Sequence, residues 1–425
     1  MLERNTGPVY PNSLLTTWTR AASARIFITR CSISAKGLMD GSPMRFGPQG
    51  PRADDCRPIL PHCECPAGVA KEAMVRFLRR AIRYCRGFAG VAASIPLFFG
   101  SIAARAEANQ SAEVFEAVRK ADLDLALIGW RLAVANAPLC DRLEPGIGFQ
   151  LHTLDQFDQA SRDAARAHFQ FATPVGIEGV LPGSPAEQAG LRADDSLVRV
   201  GSVDIAAIQG KSGTTQRLVA AQLAIAGLPQ GQPIEVQAIR AGSPVTLTIR
   251  PVPACRTRFE LRLAQNYSAS ADGTMVQVSS KFLEAYTGEQ VAAAVAHEFS
   301  HNILRHRERL EARGVDFGML SGFGANVKYF RETEIRADLL SVYLLANAGY
   351  SPGASIAFWR SFGPSKAGGI FRSRSHPHWR DRVATLEAEI AKLETLPARP
   401  VIPSWLAERD QPLTGDWQSL LIRNR

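Results

Sequence analysis

The stretch His297-Glu298-Phe299-Ser300-His301 constrains this chain more than any other five residues. Its two histidines are four apart, one turn of an α-helix, so both imidazoles project from one face. Two rings so placed can close on a single Zn²⁺ through their nitrogens. The intervening Glu298 then stands beside the open coordination position, where it can take a proton from a water. This is the HExxH pattern of zinc peptidases. A helix is credible here, because Thr287 and Gln290 fit a capping box and the run Val291 to Ala296 suits burial.

A catalytic zinc takes three protein ligands and keeps one position open. The third candidate is Glu334. It lies in a helical pattern that starts at Glu332, runs through Leu345 and is stopped by Gly349 and Pro352. Asp338 shares its face one turn on and would accept the free ring N–H of a ligand histidine. The plainer alternative is a solvated acidic face at a helix start; the apolar residues directly after Asp338 argue for burial. A third cluster is Ser375-His376-Pro377-His378-Trp379-Arg380-Asp381-Arg382. Pro377 suits a first helical turn, and His376, with Arg382, could donate to the oxyanion of a tetrahedral intermediate. The alternative there is a polar loop with two solvent histidines. His306, five residues after His301, falls off the metal face and reads as structural.

Together these pieces resemble the CAAX-prenyl-protease/HtpX family of gluzincin zinc metallopeptidases. The residues that carry the resemblance are His297, Glu298, His301, Glu334, Asp338, His376, Pro377 and Arg382, with Ser375 where the family usually has Thr. The resemblance spans roughly Cys255 to Glu394. It implies Zn²⁺ on His297, His301 and Glu334, Glu298 as base, and His376 with Arg382 at the oxyanion. The segments Asn266–Ala269 and Asp272–Val278 resemble the family's Asn-Ala segment and substrate-facing edge strand, although Tyr267 departs from the pattern. A peptide would then pair along Thr274, Val276 and Val278 by strand addition.

Residues from about Pro174 to Val252 resemble a PDZ domain of the bacterial protease type, on Gly179-Val180-Leu181-Pro182-Gly183-Ser184-Pro185-Ala186 and the run to Gly201. Ser184-Pro185 starts a short helix, Thr214 to Ala226 reads as the groove-lining helix, and 234–238 with 245–249 alternate as a hairpin. Such a domain docks peptide ends or extended segments; a structural spacer is the alternative.

The chain carries 49 Lys+Arg against 40 Asp+Glu. Residues 1–106 hold fifteen basic and six acidic residues, and the remainder is balanced at 34 of each, so the charge gives no support for a nucleic-acid partner. Val75 to Arg86 is basic, Gly87 to Ala103 is apolar and Ala104-Arg105-Ala106 resembles a cleavage site, together a secretory signal peptide. An uncleaved membrane anchor is the lesser alternative. Residues 1–73, with Cys56, Cys63, Cys65 and His62, show no sustained period and read as an extension upstream of Met74. Only Cys140 and Cys255 follow the leader, and in an oxidising compartment they could form a disulfide worth at most about 4 kcal/mol; two buried thiols are the alternative.

The expected architecture is α+β: a mainly helical zincin-like domain with a small sheet, plus an inserted PDZ-like β domain. The expected divisions are 1–73 extension, 74–106 signal peptide, 107–170 N-terminal helical region, 171–253 PDZ-like domain, 254–395 metallopeptidase domain and 396–425 tail. The expected activity is that of a periplasmic zinc endopeptidase with polypeptide substrates. The competing reading is a PDZ-bearing chaperone or adaptor with a latent site.

Overall fold

A computed structural model describes residues 96–315, 324–366, 376–396 and 399–423. The extension 1–73, Ser375 and most of the leader 74–106 lie outside the described residues. Among the described residues the chain divides at Ser111. The account below concerns Ser111 onward. Among the described residues no helix is long and apolar enough to cross a membrane.

Helix α1 spans Pro96–Ala135. Its buried residues Val114, Val118, Ala121, Leu125, Ile128 and Leu132 recur every three or four positions, one stripe along the helix. The first part of that stripe packs on Phe157, Phe169 and Phe171. Its later part enters the main core with Phe299 and Leu340. Strand β1 (Leu143–Gly146) then pairs antiparallel with β8 (Val252–Cys255), Leu143 opposite Cys255. Beside this pair a disulfide joins Cys140 to Cys255, with Cα atoms 5.6 Å apart. The chain thus leaves and re-enters the body at one clasp.

Between β1 and β8 lies a separate core built on one sheet. Its strands are β2 (Phe149–Thr153), β3 (Val175–Val180), β4 (Ser196–Val200), β5 (Val203–Asp204), β6 (Ile234–Arg240) and β7 (Ser243–Ile249), in the order β2-β3-β4-β6-β7 with β5 off β4. Helices α2 (Arg162–His168), α3 (Pro185–Gln188) and α4 (Gln216–Ala226) accompany it. Ser184 caps α3 by accepting from the Glu187 N–H, with Pro185 in the first turn. The β6–β7 hairpin turns through Ala241 and Gly242 at φ 46° and 80°, the left-handed pair that a two-residue loop requires. The sheet begins earlier than expected: β2 falls in the region 107–170 read as helical. It is five residues long and irregular between Gln150 and Leu151, so it shows no clean alternation.

The remaining elements are β9 (Arg258–Arg262), β10 (Ala269–Ala271), β11 (Met275–Ser279), α5 (Ser280–Ala285), α6 (Gly288–Ile303), α7 (His306–Glu311), α8 (Val327–Asn347), α9 (Gly353–Lys366) and α10 (Trp379–Glu394). The three strands run β10-β11-β9, with β11 antiparallel to β10 and parallel to β9. This corrects the expected peptide edge. Val276 and Val278 lie in the middle strand, fully buried and hydrogen-bonded on both sides. The Thr274 N–H and hydroxyl both donate to Asp272 Oδ1. No backbone is left at these three residues for a substrate; the two edge strands of this sheet are β9 and β10, and it is β10 that borders the cavity at the histidines. The tail crosses α8: the Gly415 N–H donates to the buried Glu332 at 2.5 Å, and Arg336 and Arg331 lie over the rings of Trp405 and Trp417.

Candidate metal centre

Helix α6 starts as its sequence dictates. Thr287 Oγ1 accepts from the Gln290 N–H at 3.3 Å, and the Gln290 side chain accepts from the Thr287 N–H at 3.2 Å. Its run from Ala292 to Ala296 is buried, and the helix packs against α8. Each of the two helices brings one pair of polar residues a turn apart, His297 with His301 and Glu334 with Asp338. Their faces meet. His297 Nε2 lies 3.3 Å from His301 Nε2 and 3.4 Å from Glu334 Oε2, and His301 Nε2 lies 3.6 Å from Glu334 Oε1. A tetrahedral ion bonded at about 2.0–2.1 Å requires donors about 3.3–3.4 Å apart. The two imidazole nitrogens and the Glu334 carboxylate, which turns a different oxygen to each histidine, therefore stand close to the spacing that a tetrahedral divalent ion requires, and among the described residues this is the one cluster with metal-ligand spacing.

The surrounding groups hold that face in place. Asp338 Oδ1 is 3.0 Å from His297 Nδ1, a bent contact. The same carboxylate takes a two-pronged bond from Arg382, Nε at 2.5 Å and Nη2 at 2.7 Å. Arg382 is 1% exposed, stacks at 3.7 Å on Trp359 and places Nη1 3.5 Å from Glu334. The expectation that Arg382 would help at the oxyanion is thereby corrected: its fork is committed to Asp338, and it positions that carboxylate. His376 Nε2 is 3.4 Å from Glu334 Oε2 on a side chain 43% exposed, at the rim of the site. His378, rather than a residue before Pro377, caps α10, its Nδ1 accepting from the Arg380 N–H.

His306 is the residue that sequence reasoning undervalued. Arg305 adopts a left-handed conformation (φ 52°, ψ 38°), which ends α6 and starts α7 in a new direction. His306 is folded back, 1% exposed, with Nδ1 2.9 Å from His301 Nδ1. One proton can lie between those two nitrogens. If His301 offers Nε2 to a metal, its Nδ1 carries that proton and His306 accepts it. No local signal announces the turn, because Arg is not a residue that favours the left-handed region.

The electrostatics follow from burial set against charge. Burial penalises a charged His297, yet the carboxylates of Asp338 and Glu334 outweigh it and lift His297 to about 10. Burial dominates at His301, lowered to about 4, and holds His306 well below the ordinary histidine value. Burial would raise Glu334 and Asp338 as well. His376 and the two motif histidines hold Glu334 well below the carboxylate range, and Arg382 with His297 lowers Asp338.

His297, Glu298, Glu334 and His376 border a cavity of about 510 Å³, with Tyr267 and Ala269 at the β10 side. A smaller cavity of about 150 Å³ lies between β2 and α4 and is bordered also by Trp130 of α1 and Phe259 of β9. Trp130 Nε1 and Gln222 Oε1 there have no hydrogen-bond partner among the described residues. Phe259 reaches the main core, its ring 5.4 Å from Phe299 inside the histidine motif. The half-buried Glu144 of the same cavity is pushed up to about 7 by burial, against the pull of Arg256 and Arg258.

No family model matches this chain, and no curated protein does. Among solved structures it is similar to one described as "HtrA-type protease AlgW with decapeptide", at 19% identity over 26% of this chain and 30% of that one, with a TM-score of 0.19. It is also similar to the serine endoprotease from Yersinia pestis, at 20% identity over 19% of this chain and 25% of that one, with a TM-score of 0.14. The chain spans less than a third of either protein, and likenesses at these scores carry no argument about the centre.

Proposed function

We propose that this chain is a zinc-dependent endopeptidase of the bacterial cell envelope, beside the CAAX-prenyl-protease/HtpX gluzincins. The observation that carries the reading is the convergence of His297, His301 and Glu334 at close to metal-ligand spacing, with Glu298 next in the helix at the cavity. Two imidazoles and a carboxylate are a donor set suited to zinc. A zinc ion held there supplies the Lewis acidity that makes water a nucleophile at neutral pH. Glu298 takes a proton from the attacking water and passes it to the leaving amine. His376 donates to the charge that develops on the carbonyl oxygen. Asp338, held by Arg382, and His306 fix the ring orientation of His297 and His301. The free edge of β10 receives the substrate backbone as an added strand. The unit between β1 and β8 acts as a PDZ-like docking module for polypeptide ends or extended segments.

The test is digestion of an unfolded protein by the full chain, with Glu298→Gln beside it and zinc measured in both. Zinc in both and cleavage by wild type alone is the expected result. Zinc in both with cleavage by neither favours an adaptor with a silent centre. Absence of zinc from both overturns the ligand assignment.

A further inference from the structure

The cavity at the triad continues past its charged groups into an apolar recess. Its floor is the turn of α6 before the motif, where Ala293 and Ala294 offer only methyl groups, and Phe282, Phe358 and Phe362 stand around it. These rings brace one another: Phe358 and Phe362 stack at 5.2 Å and Phe282 lies 5.8 Å from Phe362. Trp359 marks the boundary with the charged groups, 6.5 Å from the His297 ring and beneath Arg382. One helical turn before Trp359, about 6 Å along α9, sits Ser355.

Ser355 is 3% exposed, and its Oγ has no hydrogen-bond partner among the described residues. Other helical serines of this chain settle their hydroxyls on the carbonyl four residues back, Ser300 on Ala296 at 2.7 Å and Ser361 on Ala357 at 2.9 Å. Ser355 stands third in α9, before any helical carbonyl four residues back exists for it, and it borders the recess. An unmet buried hydroxyl is costly until something in the cavity meets it.

We infer that the recess receives a tyrosine side chain of the polypeptide substrate, its ring among the phenylalanines and its hydroxyl bonded to Ser355 Oγ. This rests on the peptidase reading and names its substrate class. Flat rings match aromatic walls. A charged side chain would go unpaired, because Asp338 and Arg382 already satisfy each other. A small side chain would leave both the recess and the hydroxyl unfilled.

The test uses quenched peptides that differ at one residue flanking the scissile bond, carrying Tyr, Phe, Leu, Ala or Lys. They are given to the full chain for kcat/KM and titrated by fluorescence against Glu298→Gln, so that the recess is judged by binding as well as by turnover. Tyr is expected to exceed Ala by about tenfold or more and to exceed Phe by a smaller factor. Ser355→Ala is expected to bring Tyr down to Phe, a ratio within one variant that does not depend on how much of it folds. Ala294→Leu, which fills the floor, is expected to move the preference toward small residues. Equal handling of Tyr and Ala, or a Tyr-to-Phe ratio untouched by Ser355→Ala, overturns the inference. Tyrosine-selective binding without cleavage keeps the recess and removes the peptidase; cleavage without an aromatic preference does the reverse.

Discussion

The cavity at the triad and the smaller one beneath α1 settle their polar groups in different ways. At the triad, charged groups stand against one another, His297 beside Asp338, Asp338 in the fork of Arg382, Glu334 near Arg382 and His301 against His306, and the unmet hydroxyl of Ser355 lies deeper, in the apolar recess. The smaller cavity exposes a strand edge and keeps an indole N–H and an amide oxygen without partners. Groups that must hold one geometry are cross-braced before anything binds, as catalysis through preorganised charges requires. If this unit docks peptides as proposed, the partnerless groups of its cavity are hydrogen bonds held for that partner.

The sharpest way to break this contrast is to remove a brace. Asp338→Ala leaves Arg382 buried with its fork unpaired and only the more distant Glu334 as counter-charge, and is expected to cost about 3 kcal/mol of stability by denaturant titration. A negligible change would mean that the brace is ornamental. The second experiment moves to the smaller cavity. Glu144 titrates at about 7 in the folded chain against 4.5 for an ordinary glutamate. Raising pH through that window ionises the unfolded state first, so stability falls from pH 4.5 to 7 and then levels off. Glu144→Gln should remove up to about 3 kcal/mol of that fall, read from melting curves across pH; parallel profiles would refute the shift.

A third expectation concerns His306. Replacing it with phenylalanine keeps a ring and loses the acceptor, so zinc affinity should fall by about 10–100-fold in chelator competition. Unchanged affinity would return His306 to mere packing. The smallest effect belongs to Trp130→Phe. Losing one donor should weaken a peptide in the smaller cavity by about 0.5–1.5 kcal/mol, with zinc content unaltered. A loss of zinc there would show that Phe259 and Phe299 link the two cavities.

What the sequence disclosed was whatever one element decides alone. The i and i+4 pairs of α6 and α8, the Thr287 box, the Ser184 cap and the Ala241-Gly242 turn depend on neighbours along the chain, and the structure has them where the residues put them. What it withheld depends on pairing at a distance. Whether β11 is an edge or a centre is decided by β9, and Asp272–Val278 contains no trace of that partner. Arg382 finds Asp338 across 44 positions, so its residue type shows that it will bind an anion without showing which one. His306 returns to His301 only because Arg305 takes an unfavoured backbone conformation, a tertiary decision over local preference.

The clasp of β1 with β8 has a consequence for descent. Gly146 faces Val252 across the pair, and all the residues between them form a loop whose two ends already sit together. Exchanging that loop for another folded insert that covers the same stripe of α1 would leave α6 and α8 where they are, because both helices lie wholly outside it. A lineage could therefore change the inserted unit, by cutting and splicing at one place, while the centre on α6 and α8 stays fixed.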